Sequence, residues 1–260
     1  MNAAAGDGTA GDPPGIFPGR SARFRVKDKA AQPPFLFGMT QRTAKVGSVR
    51  PHRPRRCGLF VVVEGADASG KTTLARRLVT AYRREDVPVV AVREPGGTRT
   101  SERVRRILLD TESVIGARTE LFLYLAARAQ VVDDVIRPAV ARGTLVIADR
   151  FSLSTVAYQA GGRALPLRAV RAADALARGG LTPDLTIVLA VSERQQVERR
   201  RRQGLRRDRI ESESARFSRA VLRAYRRFGR GPRHLVIDSG LGPDRVFEMT
   251  KAAIDRRWRQ

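Results

Sequence analysis

Five short apolar runs constrain the fold more than any other feature. They read LFVVV (59–63), VPVVAV (87–92), TLVIA (144–148), LTIVLA (185–190) and HLVI (234–237). Each is rich in β-branched residues and apolar at successive positions, the composition of strands covered on both faces. Between the runs, apolar residues recur three and four apart. Leu74, Leu78 and Tyr82 share one helical face; Leu121, Leu125, Val132, Ile136 and Val140 approximately share another. Strands alternating with amphipathic helices predict an α/β domain built on a buried parallel sheet with helices on both sides. No internal repeat is visible.

The first run leads into EGADASGKTT (64–73). Gly65, Gly70, Lys71 and Thr72 fit G-x-x-x-x-G-K-[ST], placed as that phosphate-binding loop requires, after a strand and before an amphipathic helix. Glycines let backbone N–H groups curl round a phosphate, and the helix start adds partial positive charge. Only five of the chain's 50 basic residues are lysines, so a lysine between Gly70 and Thr72 is informative. Its ammonium is a compact point charge on a slim stem, where a guanidinium is wider and differently directed. Thr72 offers a hydroxyl to Mg²⁺. The run LVIADR ends in Asp149, where a metal-coordinating or water-holding carboxylate is expected, followed by Arg150, a cation for phosphoryl oxygens. The plain alternatives are an ordinary Gly-rich turn and a surface charge pair; the flanking elements favour the phosphate reading. No N-K-x-D stretch is present, which counts against a GTPase.

The remaining features bound the setting. Residues 1–56 carry 11 basic residues against three Asp, a net +8 out of the chain's +24, with no periodic apolar pattern. They are expected to form a disordered basic extension, with Met39 inside it as a candidate start, ahead of a domain at 57–260. Much of the arginine is expected on solvated helix faces, and without a recognised motif no nucleic-acid partner is expected. No apolar stretch reaches the ~18 residues of a membrane span, and the amino terminus lacks a secretory pattern. A single cysteine, Cys57, fits a reducing, cytoplasmic setting. His52 and His234 are too few and scattered for a His-based metal site.

Beyond the phosphate loop, the stretches REPGGT (93–98), LYLAARAQ (123–130), ADRFSLSTVAYQAGGR (148–163), LTPD (181–184) and RRDRIESES (206–214) follow in order. With them the chain resembles the bacterial thymidylate kinases over residues 59 to about 255. The resemblance implies a three-layer P-loop kinase fold with a five-stranded parallel sheet flanked by helices. It implies ATP-dependent phosphorylation of dTMP to dTDP with Mg²⁺, and a homodimer.

By the same resemblance, Gly65, Ala66, Asp67, Ala68, Ser69, Gly70, Lys71, Thr72 and Thr73 hold ATP, and Thr72, Asp149 and Asp67 lie at the metal. Asp67 also works near the acceptor sugar. Glu94 and Pro95 belong to a loop that holds dTMP. Tyr124 and Arg128, four apart on one helix face, are placed to stack on the base and hydrogen-bond its rim. Core packing is the plain alternative for Tyr124. Arg150 bridges phosphates, Tyr158 crowds the sugar 2′ position, and Thr155 and Gln159 help hold the acceptor. The run RRRRQGLRRDRIESE (199–213) resembles the lid over the donor, and Arg206, Arg207 or Arg209 is expected to supply transition-state charge beside Lys71, Asp67 and Arg150. Two positions depart from the family pattern: Ala68 stands where Gly is frequent, and Ala190 where Asp is frequent. A kinase with a shifted acceptor and a catalytically weak nucleotide-binding protein are the competing readings. The intact Gly70-Lys71-Thr72 and Asp149-Arg150 pairings speak against the latter.

Overall fold

The computed structural model describes residues 58–203 and 208–259. The expected extension at 1–56 and the lid residues Arg206 and Arg207 lie outside the described residues. The five apolar runs are the five strands among the described residues: β1 (Leu59–Gly65), β2 (Val89–Arg93), β3 (Leu145–Asp149), β4 (Leu185–Ala190) and β5 (His234–Asp238). They form one parallel sheet in the order β2-β3-β1-β4-β5. β2 begins two residues later than the run VPVVAV because Pro88 has no N–H for the ladder; its carbonyl instead accepts from Leu145 N at 2.9 Å.

Helices cover both faces of the sheet. They are α1 (Lys71–Arg84), α2 (Arg99–Leu109), α3 (Ala117–Val131), α4 (Arg137–Ala141), α5 (Ser152–Thr155), α6 (Leu167–Ala177), α7 (Glu193–Gln203), α8 (Ala215–Phe228) and α9 (Pro243–Trp258). π-helical stretches at Val132–Ile136 and Val156–Gly162 follow α3 and α5. The first of these explains why the apolar stripe from Leu121 to Val140 holds only approximately, since a wider turn shifts the face.

Every residue of β1 is buried, and its side chains alternate between two cores. Leu59, Val61 and Val63 pack with Leu74, Leu78 and Tyr82 of α1 and Ile254 of α9. Phe60 and Val62 pack with Val131, Ile136 and Phe151 on the opposite face. Each such side chain contributes roughly 1.5–3 kcal/mol of burial. β1 sits between β3 and β4, so the chain order reverses beside it. In open α/β sheets the crevice at that reversal, beyond the strands' carboxyl ends, is where ligands bind. The loops after β1, β2 and β3 all open there. Among the described residues no helix is long and apolar enough to cross a membrane.

Candidate active site

The loop from Gly65 to Gly70 joins β1 to α1. Gly65 (φ 147°) and Gly70 (φ 95°) take backbone conformations that suit glycine, and a Cβ on Gly65 would lie 2.7 Å from Leu189 O. Ala68 takes φ 60°, a left-handed position that a non-glycine residue occupies at some cost. No side chain caps the start of α1, and its first turn holds no acidic residue, which leaves the helix N-terminus to an anion. The Ser69 hydroxyl is buried without a partner among the described residues. Lys71 is only 6% exposed, and its Nζ donates to Ala66 O at 2.7 Å. Burial, with Arg150 nearby, pushes its ammonium down to about 8.

Asp149 ends β3 beside this loop. Thr72 Oγ1 donates to Asp149 Oδ2 at 2.5 Å, while Oδ1 is buried with no partner among the described residues. A hydroxyl next to an orphaned carboxylate oxygen offers the hard oxygen donors a small divalent cation takes. Among the described residues no group of three or more acidic, His or Cys side chains is placed to hold a metal ion. The pair therefore fits a cation whose other positions come from phosphate oxygens and water.

Arg150 adopts φ 77° and turns back over the loop. It pairs with Asp67, stacks its guanidinium 5.1 Å from the Tyr158 ring and reaches Ser154 Oγ at 3.2 Å. Burial alone would raise the Asp67 carboxyl, but Arg150 and Lys71 outweigh it and hold it below its usual range. Arg150 is aimed by a residue that the sequence reading missed. Glu64, fully buried at the end of β1, accepts from Phe151 N (2.8 Å), Ser154 N (3.1 Å), Ser154 Oγ (2.6 Å) and Tyr225 Oη (3.0 Å).

The residues expected at the acceptor line this cleft as well. Tyr124, Arg128, Glu94, Pro95, Thr155, Tyr158 and Gln159 line the same cavity of roughly 410 Å³ as Asp67, Lys71, Thr72 and Arg150. Sequence reasoning had Arg128 reading a base edge with its donors. The structure commits most of them within the protein. Nε and Nη2 bond Glu94 Oε2 at 2.8 and 2.6 Å; Nη1 bonds Thr155 Oγ1 at 2.7 Å and Asp174 Oδ1 at 2.5 Å. Of five guanidinium N–H groups, one on Nη2 remains. Glu94 Oε1 is buried with no partner among the described residues, and burial, opposed by Arg128, pushes Glu94 up to about 6. Asp174 and the cavity residue Arg105 were also missed. Arg105 Nη1 donates to Pro95 O at 3.0 Å, and burial together with Arg93 lowers its guanidinium.

The arginine-rich segment is sorted by its contacts. Arg199 bonds the carbonyls of Ala68 (3.3 Å) and Ser69 (3.4 Å) and ties them to Ser239. Gln196 Nε2 holds Asp67 O at 3.0 Å, and Arg200 approaches Asp67 Oδ2 at 3.5 Å. Neither Arg199 nor Arg200 was singled out from the sequence, where the run is too uniform to rank. Arg209, which was singled out, binds Leu108 O and Glu120. Ala190 ends β4 opposite Asp238.

A phosphate loop at the sheet's reversal point, an uncapped helix start and a Thr–Asp oxygen pair define a P-loop nucleotide-binding enzyme. The sequence model of the thymidylate kinase family matches residues 63–249, and the chain belongs to that family. The thymidylate kinase of Caldanaerobacter subterraneus subsp. tengcongensis is 38% identical over 185 residues, covering 71% of this chain and 88% of that protein. That of Ectopseudomonas mendocina is 42% identical, covering 70% and 88%. That of Desulforudis audaxviator is 46% identical, covering 65% and 76%.

Proposed function

We propose that the protein phosphorylates dTMP to dTDP with ATP as donor, a cytoplasmic step towards dTTP. The observation that supports this reading is one cavity lined by both the phosphate loop and the Tyr124–Arg128 wall, with room for a donor and a planar acceptor side by side. Lys71 and the N–H groups at the start of α1 hold the donor phosphates, and Ser69 supplies a further donor. Thr72 and Asp149 would hold Mg²⁺, which when bound neutralises phosphate charge. Arg150 is shared: it rests on Asp67 and Tyr158, within reach of a phosphate placed between loop and acceptor wall. Tyr124 offers an aromatic face to the base. The remaining Nη2–H of Arg128 donates towards a carbonyl and finds no partner in an exocyclic amine.

The test is kcat/KM across dTMP, dUMP, dCMP, ribo-TMP and thymidine. A buried donor left unpaired costs roughly 1–3 kcal/mol, so dCMP should trail dTMP by about tenfold or more. Tyr158, packed against the loop, should disfavour a 2′-hydroxyl, and thymidine lacks the phosphate that Arg150 needs. Turnover of dCMP equal to that of dTMP would remove the Arg128 role and leave the competing reading, a kinase with a shifted acceptor.

We also propose a homodimer. Ile107 on α2 and Phe122 on the adjoining α3 are 48% and 62% exposed, and Leu176 on α6 is 85% exposed, a set of large apolar side chains that a self-complementary interface would cover. Phe122→Glu should shift the sedimenting species from dimer to monomer; a monomer in the unaltered protein would remove this proposal.

A further inference from the structure

Glu120 and Arg209 have no part in the phosphate chemistry described above, yet they join the acceptor wall to the far side of the cavity. Glu120 begins the functional stripe of α3, one turn before Tyr124 and two before Arg128, and it is fully buried. Four donors converge on its two oxygens. Oε1 takes Gln159 Nε2 and Arg163 Nε, each at 3.0 Å; Oε2 takes Arg163 Nη2 at 2.8 Å and Arg209 Nη2 at 2.7 Å. Burial would raise this carboxyl, but the bonds from Arg163, Gln159 and Arg209 outweigh it. Arg209 uses its remaining reach to bond Leu108 O, at the end of α2, at 2.9 Å. Its neighbours Asp208, Ile210 and Glu211 line the cavity. Arg163 carries the link onward to Glu213 at 2.5 Å.

From this geometry we infer that Arg209 and Glu120 are a pair of positioning residues, a bolt that fastens the 208–211 wall across the acceptor end of the cavity. Arg209 spends its Nε and Nη2 on Leu108 O and Glu120, so its contribution to the reaction is to keep the acceptor seated and water out. Glu120 holds both ends: Gln159 in the acceptor wall and Arg209 in the opposing one. A loosened wall admits water as a competing acceptor for the phosphoryl group. In that event the γ-phosphorus–oxygen bond to ADP breaks as before and water, losing a proton, yields inorganic phosphate instead of dTDP.

The inference rests on dTMP as acceptor, and its test separates the two. With labelled ATP and saturating dTMP, inorganic phosphate and dTDP are measured for the full-length protein and for Arg209→Gln, Glu120→Gln and the double variant. Loss of a charge-assisted hydrogen bond corresponds to about a tenfold effect or more. Each single variant should raise KM for dTMP and the phosphate-to-dTDP ratio by roughly that factor, with KM for ATP little changed. The double variant should be no worse than the worse single one, because both break the same link. Arg209→Lys restores the charge but cannot span Leu108 O and Glu120 together, so it should stay leaky; it also carries the test if Glu120→Gln fails to fold. The inference is overturned if Arg209→Gln lowers kcat with KM for dTMP and the ratio unchanged, the signature of a group acting on the transferred phosphoryl alone. Additive single variants, or full rescue by Lys, overturn it equally. An unaltered protein that makes no dTDP strikes the acceptor assignment; ATP hydrolysis without acceptor, which the bolt also restrains, then reads the same variants.

Discussion

Lys71→Ala is expected to lower kcat for phosphoryl transfer by on the order of 10²–10³-fold, the scale of removing one preorganised charge from a developing transition state. The melting temperature should hold or rise. Burial depresses Lys71 from 10.5 to about 8, so between those values the native state holds fewer protons than the unfolded one. Stability contributed by this residue therefore increases as pH climbs through that window, and at neutral pH its buried charge works against folding. Removing it costs one hydrogen bond, to Ala66 O, and relieves that burden. Lys71→Arg should also be poor, because a planar fork does not fit a position whose amine is enclosed by its own loop. Steady-state kinetics with a thermal melt decide the matter. A variant with near-unaltered kcat would remove Lys71 from the phosphate site; a large fall in melting temperature would make it a structural residue.

Lys71 was legible because its meaning is local. The preceding strand, the glycine spacing and the following helix all lie within residues 59–84, and the five apolar runs need only their own composition to be read as covered strands. Tyr124 and Arg128 were picked out by the family resemblance, to which their four-residue spacing adds only that they share one helix face. The carboxylates that hold the site together were not. Glu64 interrupts an apolar strand, a signal that it needs partners, but those partners lie 87, 90 and 161 residues away. Asp174 meets Arg128 across 46 residues, and Glu120 meets Arg209 across 89. A run of identical arginines carries no information about which one turns towards which acceptor. Only the fold separates Arg199 on the loop carbonyls from Arg209 on Glu120. The same limit applies to Arg128, whose donors the spacing left free and the packing commits to Glu94, Thr155 and Asp174.

Glu64→Ala tests the least legible of these residues. Its two oxygens satisfy the backbone N–H groups of Phe151 and Ser154, which open the turn after β3, and the hydroxyls of Ser154 and Tyr225. Ser154 Oγ and Tyr225 Oη lie 2.9 Å apart and can still bond each other after truncation, and Ser154 N still reaches Phe151 O at 3.0 Å, but the Phe151 N–H would be buried without its partner. At about 1–3 kcal/mol for that N–H, with the cavity left by the side chain besides, the loss should reach about 3 kcal/mol. For a domain of this size that lowers the melting temperature by roughly 6–12 °C. The turn that relaxes is the one carrying Arg150, whose Nη1 leans on Ser154 Oγ, so phosphoryl transfer should fall by on the order of 10²-fold, the effect of an ångström-scale misplacement. Glu64→Gln separates hydrogen bonding from charge. Its carbonyl can take both N–H groups, and its amide can donate to either hydroxyl once these rotate, so it should lose about 1 kcal/mol or less and retain most activity. Equal damage from Ala and Gln would show that Glu64 acts on Arg150 and Lys71 through its charge. Harmless substitution by Ala would mean that the turn after β3 is held by its strand pairing alone.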